Sequence, residues 1–458
     1  MPTATVDTTR AVTPGEIADA CSTSDARSGA GVRHEGAPPR PDHDRARLLS
    51  CWGAHGSGTL HAHLEHHGPL PLPRGHGGAA QLGALMEASG LAGRGGASFP
   101  SARKLAAVRS AGGSPTVVVN AMEGEPAADK DRTLLWCAPH LVLDGAELVA
   151  RALRARRVVV CVPDDSDVRH AVVTAAAERA AAWRAPFVIE VATLPGRYVA
   201  GEESAVVSRL SGGPSAPAWR PDKGAPLRIG RSPALVHNAE TLAHVALIAR
   251  YGPEAFRAAG HPDAPGTALV TVSGAVARPG VLEVAMGALL GDIVGCAGPV
   301  DGVGAVLTGG FGGTWVPATA LGTSYTPGSM AEVGGVVGAG VLVVLPGRAC
   351  GLAETARIAR YMAGESAGQC GPCVFGLPAV ADDLDDLVAA TSPAAATRLA
   401  SRVAGVDGRG ACRHPDGVAR LVRSALWVFA DDADAHARGR PCPHRGAPSV
   451  LPGPVGAP

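Results

Sequence analysis

Two cysteines three residues apart, Cys370 and Cys373, lie in the stretch ESAGQCGPCVFG, a Gly- and Ser-rich turn after an amphipathic helical run. A third cysteine at position 367 would complete C-x-x-C-x-x-C, a spacing typical of iron–sulfur ligation by thiolates. That position is Ala367, whose side chain has no ligand atom. The spacing therefore leaves three hypotheses: a metal centre that has lost a ligand, one that has recruited another, or no centre.

A glycine-rich loop at residues 90–108, GLAGRGGASFPSARKLAAV, runs into a helix-like segment. Backbone without side chains ahead of a helix N-terminus presents several N–H groups to one anion. Arg94 and Lys104 could add positive charge to a phosphate. The glycines concerned are Gly93, Gly95 and Gly96. The loop therefore indicates a phosphate site, and a plain turn is the alternative.

Acidic and amide side chains are grouped at three further places: Asn120, Glu123 and Glu125 after a strand-like run, Glu202 and Glu203 in GEES, and Asn238 in HNAET. Carboxylates gathered at the end of a strand repel one another unless something uses them. Asn120 could hydrogen-bond the edge of a heterocycle, and a solvated acidic loop is the alternative. The other two groups are also explained by helix dipoles and N-caps alone.

The elements that would position these groups alternate between strand and helix from about residue 80 to 250. Short β-branched runs at 115–121, 156–162 and 186–192 predict buried parallel strands joined by crossover helices. In this α/β pattern ligands bind beyond the carboxyl ends of the strands. From about 266 two strands flank a Pro-Gly turn before a short helix, which predicts an α+β module. Amphipathic helices follow residue 350.

The predicted organisation has five parts. They are a Pro-, His- and Gly-rich, largely disordered extension (1–77), an α/β domain (78–250), an α+β module (251–347), a helical domain (348–438) and a flexible tail (439–458). In the extension, His63 and His67 are spaced i, i+4 and could hold a metal on a helix. Because no committed carboxylate accompanies them, we interpret this region as a solvated His-rich segment.

The formal net charge of the chain is +0, which argues against a nucleic-acid or acidic-membrane partner. The 10 cysteines are scattered, so no disulfide framework is predicted. No apolar run of about 18 residues marks a membrane span, and the N-terminal pattern is not that of a signal peptide. These features predict a soluble, cytoplasmic protein with reduced thiols.

Taken together and in order, the motifs resemble those of the NADH-binding flavoprotein subunit of respiratory complex I, the F subunit of bacterial NADH:quinone oxidoreductase. The matching motifs are GRGGASFP, NAMEGEP, DKDR, GEES, HNAET and GQCGPC, between about residues 80 and 430. Flavin subunits of hydrogenases and formate dehydrogenases are similar. The resemblance implies FMN in a Rossmann-like domain, then a β-grasp module of the SLBB type, then a helical bundle with a [4Fe–4S] cluster.

The resemblance also implies roles for particular residues. The flavin would be held by Gly93, Arg94, Gly95, Gly96, Lys104, Asn120, Glu123, Tyr198, Gly201, Glu202, Glu203 and Asn238. Phe99 and Glu125 would meet the nicotinamide nucleotide, and Cys370, Cys373 and Cys412 would bind the cluster. The implied chemistry is hydride transfer to FMN followed by single-electron steps to a partner, a small ferredoxin-like iron–sulfur protein or another redox subunit of a larger complex.

Several positions depart from the family pattern. Met122 replaces an aspartate against the flavin ring, and Ser98 replaces a glycine. Lys223 stands where a phenylalanine stacks on adenine, and Leu105 where an aromatic is usual. Loss of two aromatics predicts weaker NADH binding, since stacking contributes about 0.5–1.5 kcal/mol per pair. NADH is therefore one candidate electron donor, and a scaffold subunit with degenerate cofactor sites is the alternative function. A binding role for the β-grasp module alone is a third hypothesis.

Ala367 leaves three of the four implied cluster ligands. Cys350 cannot replace it, because 17 helical residues span about 25 Å. His414, Cys442 or a solvent molecule could complete a [4Fe–4S] shell, and a [3Fe–4S] cluster needs only three thiolates. The sequence therefore predicts an iron–sulfur cluster with a non-standard fourth ligand or with three irons.

Overall fold

The computed structural model describes residues 47–72, 78–220 and 225–453. Its first domain contains five strands: β1 (Thr116–Asn120), β2 (Arg157–Pro163), β3 (Val188–Leu194), β4 (Leu227–Ile229) and β5 (Ser232–Asn238). They form one sheet in the order β3-β2-β1-β5-β4, parallel except for the edge strand β4. The strands predicted from β-branched runs are confirmed as β1, β2 and β3, since such side chains pack well on a buried sheet.

Helices cover both faces of this sheet. They are α1 (Ser50–His55), α2 (Leu60–His67), α3 (Gly78–Ser89), α4 (Ser101–Ser110), α5 (Lys130–Cys137), α6 (Pro139–Leu153), α7 (Ser166–Ala182), α8 (Glu203–Leu210) and α9 (Ala239–Arg257). A single 3₁₀ turn, Tyr198–Gly201, precedes α8. Helices α6 and α9 touch at Gly145, where a Cβ atom would lie 1.8 Å from Leu242 O. Only glycine permits this approach of two buried helices.

The second domain is a five-stranded mixed sheet with its own core. It contains β6 (Gly260–His261), β7 (Ala264–Pro265), β8 (Thr267–Gly274), β9 (Gly280–Ala285), α10 (Leu290–Ala297), β10 (Ala305–Thr308), β11 (Thr314–Pro317), a 3₁₀ turn (Ala318–Gly322), α11 (Pro327–Glu332) and β12 (Val341–Leu345). The sheet order is β11-β10-β12-β8-β9, with β8 and β12 parallel at its centre and β6 and β7 as a separate hairpin. This is the β-grasp arrangement expected from the sequence.

The third domain is the predicted helical bundle. It consists of α12 (Gly351–Gly364), a π-helical turn (Pro372–Gly376), α13 (Leu377–Ala389), α14 (Ala395–Val406), α15 (His414–Val428) and α16 (Ala430–Ala437). Its core is continuous with one face of the β-grasp sheet. Within the described ranges, no helix is both long enough and apolar enough to cross a membrane.

One buried hydrogen bond fixes the bundle on the β-grasp sheet. Trp315 of β11 is fully buried, and its Nε1–H donates to Thr355 Oγ1 of α12 at 2.9 Å. Replacing Thr355 with the isosteric valine removes the acceptor and leaves the indole N–H buried without its partner. We expect the free energy of unfolding to fall by about 1–3 kcal/mol, measured by urea denaturation. Thr319→Val, at an exposed threonine, is the control and should change it by less than about 0.5 kcal/mol. Equal stability of the two variants would contradict this role.

The predicted disorder of 1–77 is wrong for residues 47–72, which pack against the first domain. His63 Nε2 lies 2.7 Å from Asp144 Oδ2 of α6, and both side chains are buried. Arg179 Nη1 donates to Asp144 Oδ1 at 2.7 Å, and Arg250 also pairs with this carboxylate. Burial alone would raise the pKa of Asp144, but the three partners hold it below its usual range. Part of the His-rich segment is therefore structural rather than solvated.

The predicted flexible tail is also wrong for residues 439–453. Ser449 Oγ donates to Glu354 Oε2 of α12 at 2.7 Å, and Leu451 is buried in the bundle core. Gly453 lies against Pro126 of the first domain. The Pro/Gly-rich segment 439–453 is therefore an ordered strap that Ser449 and Leu451 help to anchor.

Parts of the predicted N-terminal extension and tail, together with His76 and Lys223, lie outside the described residues. The ranges concerned are 1–46, 73–77, 221–224 and 454–458.

Candidate functional site

The candidate site lies at the carboxyl ends of β1 and β5. The chain leaves β1 toward β2 and β3 and returns to β5 on the other side, so the strand order reverses between them. Open α/β sheets bind ligands at such a point. Asn120 and Asn238 are opposite each other in the register of these strands. Asn120 Nδ2 donates to Gly201 O at 2.9 Å, and Asn238 Oδ1 accepts from Glu240 N as the N-cap of α9.

The glycine-rich loop ahead of α4 is a closed turn. Gly93 N–H donates to Phe99 O at 2.9 Å. Gly96 has a φ of 104° and Ser98 a φ of 49°, so both occupy the left-handed region. Glycine adopts it without strain, whereas serine does so at a cost. The side chains at 95–100 are exposed, Phe99 at 49%, so this face of the loop is open to a ligand.

Two glycines allow backbone segments to approach closely beneath this loop. A Cβ atom at Gly201 would lie 2.6 Å from Met122 O, and one at Gly95 would lie 3.3 Å from Asn238 Cβ. Met122 itself is buried in the apolar layer beneath the sheet edge. The cleft is therefore walled by backbone and by the two asparagines, which suits a flat ligand with a phosphate group.

Lys104 supplies the positive charge at the cleft, and it forms an ion pair with Glu203 at the start of α8. Beside it lies His237, which is buried and whose Nε2 has no hydrogen-bond partner in the part of the chain that the structure describes. Burial, with a smaller effect of Lys104, lowers the pKa of His237 to about 3. A cation and a neutral imidazole therefore stand together. The sequence reasoning missed His237, although it immediately precedes Asn238.

Arg94 is positioned differently from the expectation that its guanidinium holds a phosphate. Its Nε donates to Thr267 O at 3.2 Å and its Nη2 to Pro265 O at 3.0 Å, and a third bond reaches Ala92 O. Its backbone N–H donates to Thr241 Oγ1 at 2.9 Å. Arg94 therefore fastens the glycine loop to the β-grasp domain, and burial lowers its pKa.

Lys130, one of the few lysines in the chain, forms the buried centre of an ion-pair network below the cleft. Its Nζ donates to Asp131 Oδ1 and Glu240 Oε2, each at 2.9 Å. Asp131 Oδ2 accepts from Asn238 Nδ2 at 2.7 Å, and Glu240 Oε1 accepts from Leu269 N. Although burial opposes the charge, these carboxylates hold the pKa of Lys130 above its usual value. The network therefore fixes Asn238 in place.

Glu123 is held by backbone rather than by a cation. Its two carboxylate oxygens accept the N–H groups of Asp131 and Arg132, each at 3.0 Å. Burial, reinforced by the Asp131 carboxylate, raises the pKa of Glu123. The side chain is thus oriented by the first turn of α5.

Glu125 and Tyr198 connect the cleft to the other two domains. Glu125 Oε2 accepts Phe311 N–H at 2.8 Å, and burial raises the pKa of Glu125 to about 7. Tyr198 hydrogen-bonds Glu125 through its side chain, and its backbone N–H donates to Glu365 Oε2 at 3.0 Å. The centroid of the Tyr198 ring lies 5.3 Å from that of His414 in the helical bundle. One side of the cleft is therefore built on the bundle.

The three cysteines predicted as metal ligands lie together at the end of the bundle nearest the cleft. Cys370 Sγ is 3.7 Å from Cys373 Sγ, and Cys412 is close enough to interact electrostatically with both. Although burial opposes it, the N–H groups of Ala411 and Cys373 hold the pKa of Cys370 below its ordinary value. Backbone N–H groups directed at sulfur stabilise bound thiolates. Glu202, the N-cap of α8, lies close enough to Cys412 to raise the pKa of that thiol further.

The structure distinguishes between the side chains considered for the fourth ligand. His414 is buried, and its Nε2 lies 2.8 Å from Met362 O. Its Nδ1 has no hydrogen-bond partner among the described residues. Cys442 lies instead beside Cys350 at the start of α12, a helix of 14 residues that is about 21 Å long, whereas Cys370 follows the other end of that helix. His414 therefore remains a candidate, and Cys442 does not.

Two family models match separate parts of the chain. The profile of the Nuo51 FMN-binding domain matches residues 86–247, and that of the NADH-ubiquinone oxidoreductase-F iron-sulfur binding region matches residues 353–436. The NADH-quinone oxidoreductase F subunit 2 of Rhizobium meliloti is 31% identical over 375 residues, which cover 78% of this chain and 89% of that protein. The chain belongs to the family of NADH-quinone oxidoreductase F subunits. The family member of Streptomyces coelicolor is 29% identical, over 88% of this chain and 93% of its own.

A solved structure from a different assembly shares the fold. A chain of NAD⁺-reducing [NiFe]-hydrogenase in its H₂-reduced state superposes with a TM-score of 0.72 at 31% identity. The match covers 81% of this chain and 63% of the hydrogenase chain, so this chain spans just under two thirds of that neighbour. The family resemblance and the Rossmann-like fold inferred from the motifs are therefore confirmed.

Two departures from the family pattern have a clear structural setting. Leu105 is 2% exposed and packs in the core of the first domain, so its identity affects the packing of α4 rather than the open face of the cleft. Met122 is also buried, at 7% exposure. The absence of an aromatic side chain at position 105 is therefore a difference in the core of the first domain.

Proposed function

We propose that this protein receives electrons on FMN, with NADH as the hydride donor, and passes them singly through an iron–sulfur cluster to a partner. The observation that carries the proposal is the adjacency of the two sites. Tyr198 and Glu202 belong to the cleft, and they contact or interact with His414 and Cys412 beside the cysteine cluster. A flavin and a cluster placed there would be neighbours, as electron transfer requires.

The cleft suits FMN by its own chemistry. The exposed glycine loop, the Lys104 cation and the orphaned Nε2 of His237 suit a phosphate, and the asparagines at the ends of β1 and β5 suit the polar edge of a flat ring. In the proposed arrangement the backbone of Gly93, Gly95 and Gly96 binds the phosphate and ribityl chain, and Lys104 binds the phosphate. Asn120, Glu123 and Asn238 orient the ring. FMN, when bound, accepts a hydride and gives up its electrons one at a time. Phe99 and Glu125 are the proposed contacts of the nicotinamide nucleotide.

The three thiolates suit an iron–sulfur cluster with one further ligand. We propose His414 as that ligand of a [4Fe–4S] cluster. Its Nε2–H donates to a backbone carbonyl, Met362 O, which leaves the lone pair on the buried Nδ1. Ligating histidines typically have this second hydrogen bond, since it fixes the ring and its tautomer. This arrangement would compensate for Ala367.

The proposed role of Lys104 predicts a selective loss of phosphate recognition. Lys104→Met removes one charge-assisted contact, so the Kd of FMN should rise about 10-fold. Riboflavin, which has no phosphate, should bind the variant as it binds the wild type. Flavin fluorescence quenching of the apoprotein measures both. An equal loss for FMN and riboflavin would mean that Lys104 acts only through the packing of Glu203.

The relatives' names describe them as subunits, which supports a place for this protein in a larger assembly. We propose a cytoplasmic protein within a larger complex, with a small iron–sulfur protein or another redox subunit as electron acceptor. Co-purification from the native host under anaerobic conditions tests this assignment.

A further inference from the structure

A second group of metal-binding side chains lies at the far end of α12 from the three clustered cysteines. Cys350, His436 and Cys442 each place one ligand atom within 4.8 Å of the others. Cys350 is the N-cap residue of α12, His436 lies in α16, and Cys442 follows in the strap of residues 439–453. Three separate segments therefore converge on one point with two sulfur donors and one nitrogen donor.

His436 is held in the tautomer that a metal requires. Its Nδ1 lies 3.2 Å from Leu387 O and 3.1 Å from Val388 O, so Nδ1 carries the hydrogen and donates it. Its Nε2 accepts the backbone N–H of Cys442 at 3.0 Å. The lone pair of Nε2 therefore points toward the turn that carries Cys442, and a metal bound at Nε2 would replace this hydrogen bond. Ligating histidines are commonly oriented by such carbonyl contacts.

Two backbone N–H groups are directed at the sulfur of Cys350. This side chain is 2% exposed, and its Sγ accepts the N–H groups of Leu352 and Ala353 in the first turn of α12. Its thiol also contacts that of Cys442. N–H groups at a helix N-terminus stabilise the negative charge that remains on sulfur once a metal has displaced the proton.

We propose that Cys350, His436 and Cys442 bind a zinc ion that fastens the strap to the helical bundle. Buried sites of thiolate and imidazole ligands select zinc, which prefers four tetrahedral ligands. In the portion of the chain described by the structure no fourth Cys, His or carboxylate joins the group, so a solvent molecule completes the shell. The site is independent of the candidate cluster, because all three of its ligands are different residues.

The proposed zinc has a structural consequence for the cleft. Beyond Cys442 the strap continues along α12, where Arg357 Nη2 donates to Ala447 O at 3.2 Å. It ends with Gly453 against Pro126, in the loop that carries Glu123 and Glu125. Fixing the strap at Cys442 therefore helps to hold the loop of the acidic residues in place.

The zinc content of full-length protein, expressed with zinc and purified anaerobically, tests the site. We expect about one zinc per chain in the wild type and in the control Cys296→Ser. Cys442→Ser and His436→Gln should each lower that content at least about fivefold, while Cys370→Ala should leave it unchanged. Wild-type protein without zinc, or zinc lost with Cys370→Ala and retained with Cys442→Ser, would overturn the proposal.

Two measurements on the wild-type protein test the site even if the variants fail to fold. Zinc-edge X-ray absorption should show two sulfurs at about 2.3 Å and two lighter ligands at about 2.0 Å; three or four sulfurs would place zinc at the other cysteines and reject the site. Chelation should speed tryptic cleavage after the exposed Arg438 and Arg445 at least about threefold, because the strap opens. Unchanged cleavage, or a Cys350–Cys442 disulfide in the anaerobic protein, would also reject it.

Discussion

Gly201→Ala should lose most of its bound FMN, with a Kd about 100-fold above that of the wild type. The added Cβ atom would lie 2.6 Å from Met122 O, closer than real Cβ atoms approach a backbone oxygen. The backbone at the end of β1 must therefore move, and the hydrogen bond from Asn120 Nδ2 to Gly201 O would move with it. Fluorescence titration of the apoprotein measures the change directly.

Gly196→Ala is a matched control for this variant. Gly196 lies five residues earlier in the same connection, and a Cβ atom there meets nothing within 4 Å. It should bind FMN like the wild type. Circular dichroism and a thermal melt on both variants separate a local change in the cleft from unfolding. Undiminished FMN affinity of a folded Gly201→Ala would show that the flavin does not occupy this cleft.

Cys373→Ala should purify with almost no iron. The side chain is buried and 3.7 Å from Cys370 Sγ, so its removal takes one of three sulfurs from the proposed cluster. A cluster held by two thiolates and one imidazole is labile, and we expect iron to fall from about four per chain to fewer than one. FMN should stay near one per chain, because none of the residues proposed to hold the flavin lies in the helical bundle.

Cys296→Ser is the control. This thiol lies in the β-grasp domain and belongs neither to the proposed cluster ligands nor to the proposed zinc ligands. It should retain iron and its EPR signal. His414→Ala addresses the fourth ligand separately: we expect conversion to a three-iron cluster that is paramagnetic when oxidised. If Cys373→Ala retains its iron, the three cysteines do not bind the cluster. If the wild type already contains three irons, the proposed role of His414 is wrong.

Much of the architecture could be predicted because it follows from local pattern. The β-branched runs gave the parallel strands, the Pro-Gly turn gave the paired strands β8 and β9, and amphipathic spacing gave the bundle. The polar residue at one strand end was visible for the same reason, since Asn120 closes β1. Asn238 closes β5, a strand that was not predicted, and it was recognised only as the residue ahead of a helix. Motif order then identified the family.

The parts that failed depend on contacts between distant residues. His63 pairs with Asp144, 81 positions away, and Cys442 lies beside Cys350; neither pair has a local pattern to reveal it. The role of Arg94 could not be foreseen because its acceptors are backbone carbonyls of another domain, and any residue type supplies those. Pro/Gly-rich composition likewise concealed Leu451, whose single apolar side chain anchors the strap.

The cofactor content of anaerobically purified protein tests the central claim most directly. We predict about one FMN and about four irons with matching sulfide per chain, and bleaching of the flavin band when NADH is added. If the flavin and the cluster are present and reducible but do not react with NADH, only the proposed electron donor is wrong. Colourless protein that takes up neither flavin nor iron, even after reconstitution with FMN, iron and sulfide, would contradict the electron-transfer function and favour a scaffold subunit with degenerate sites.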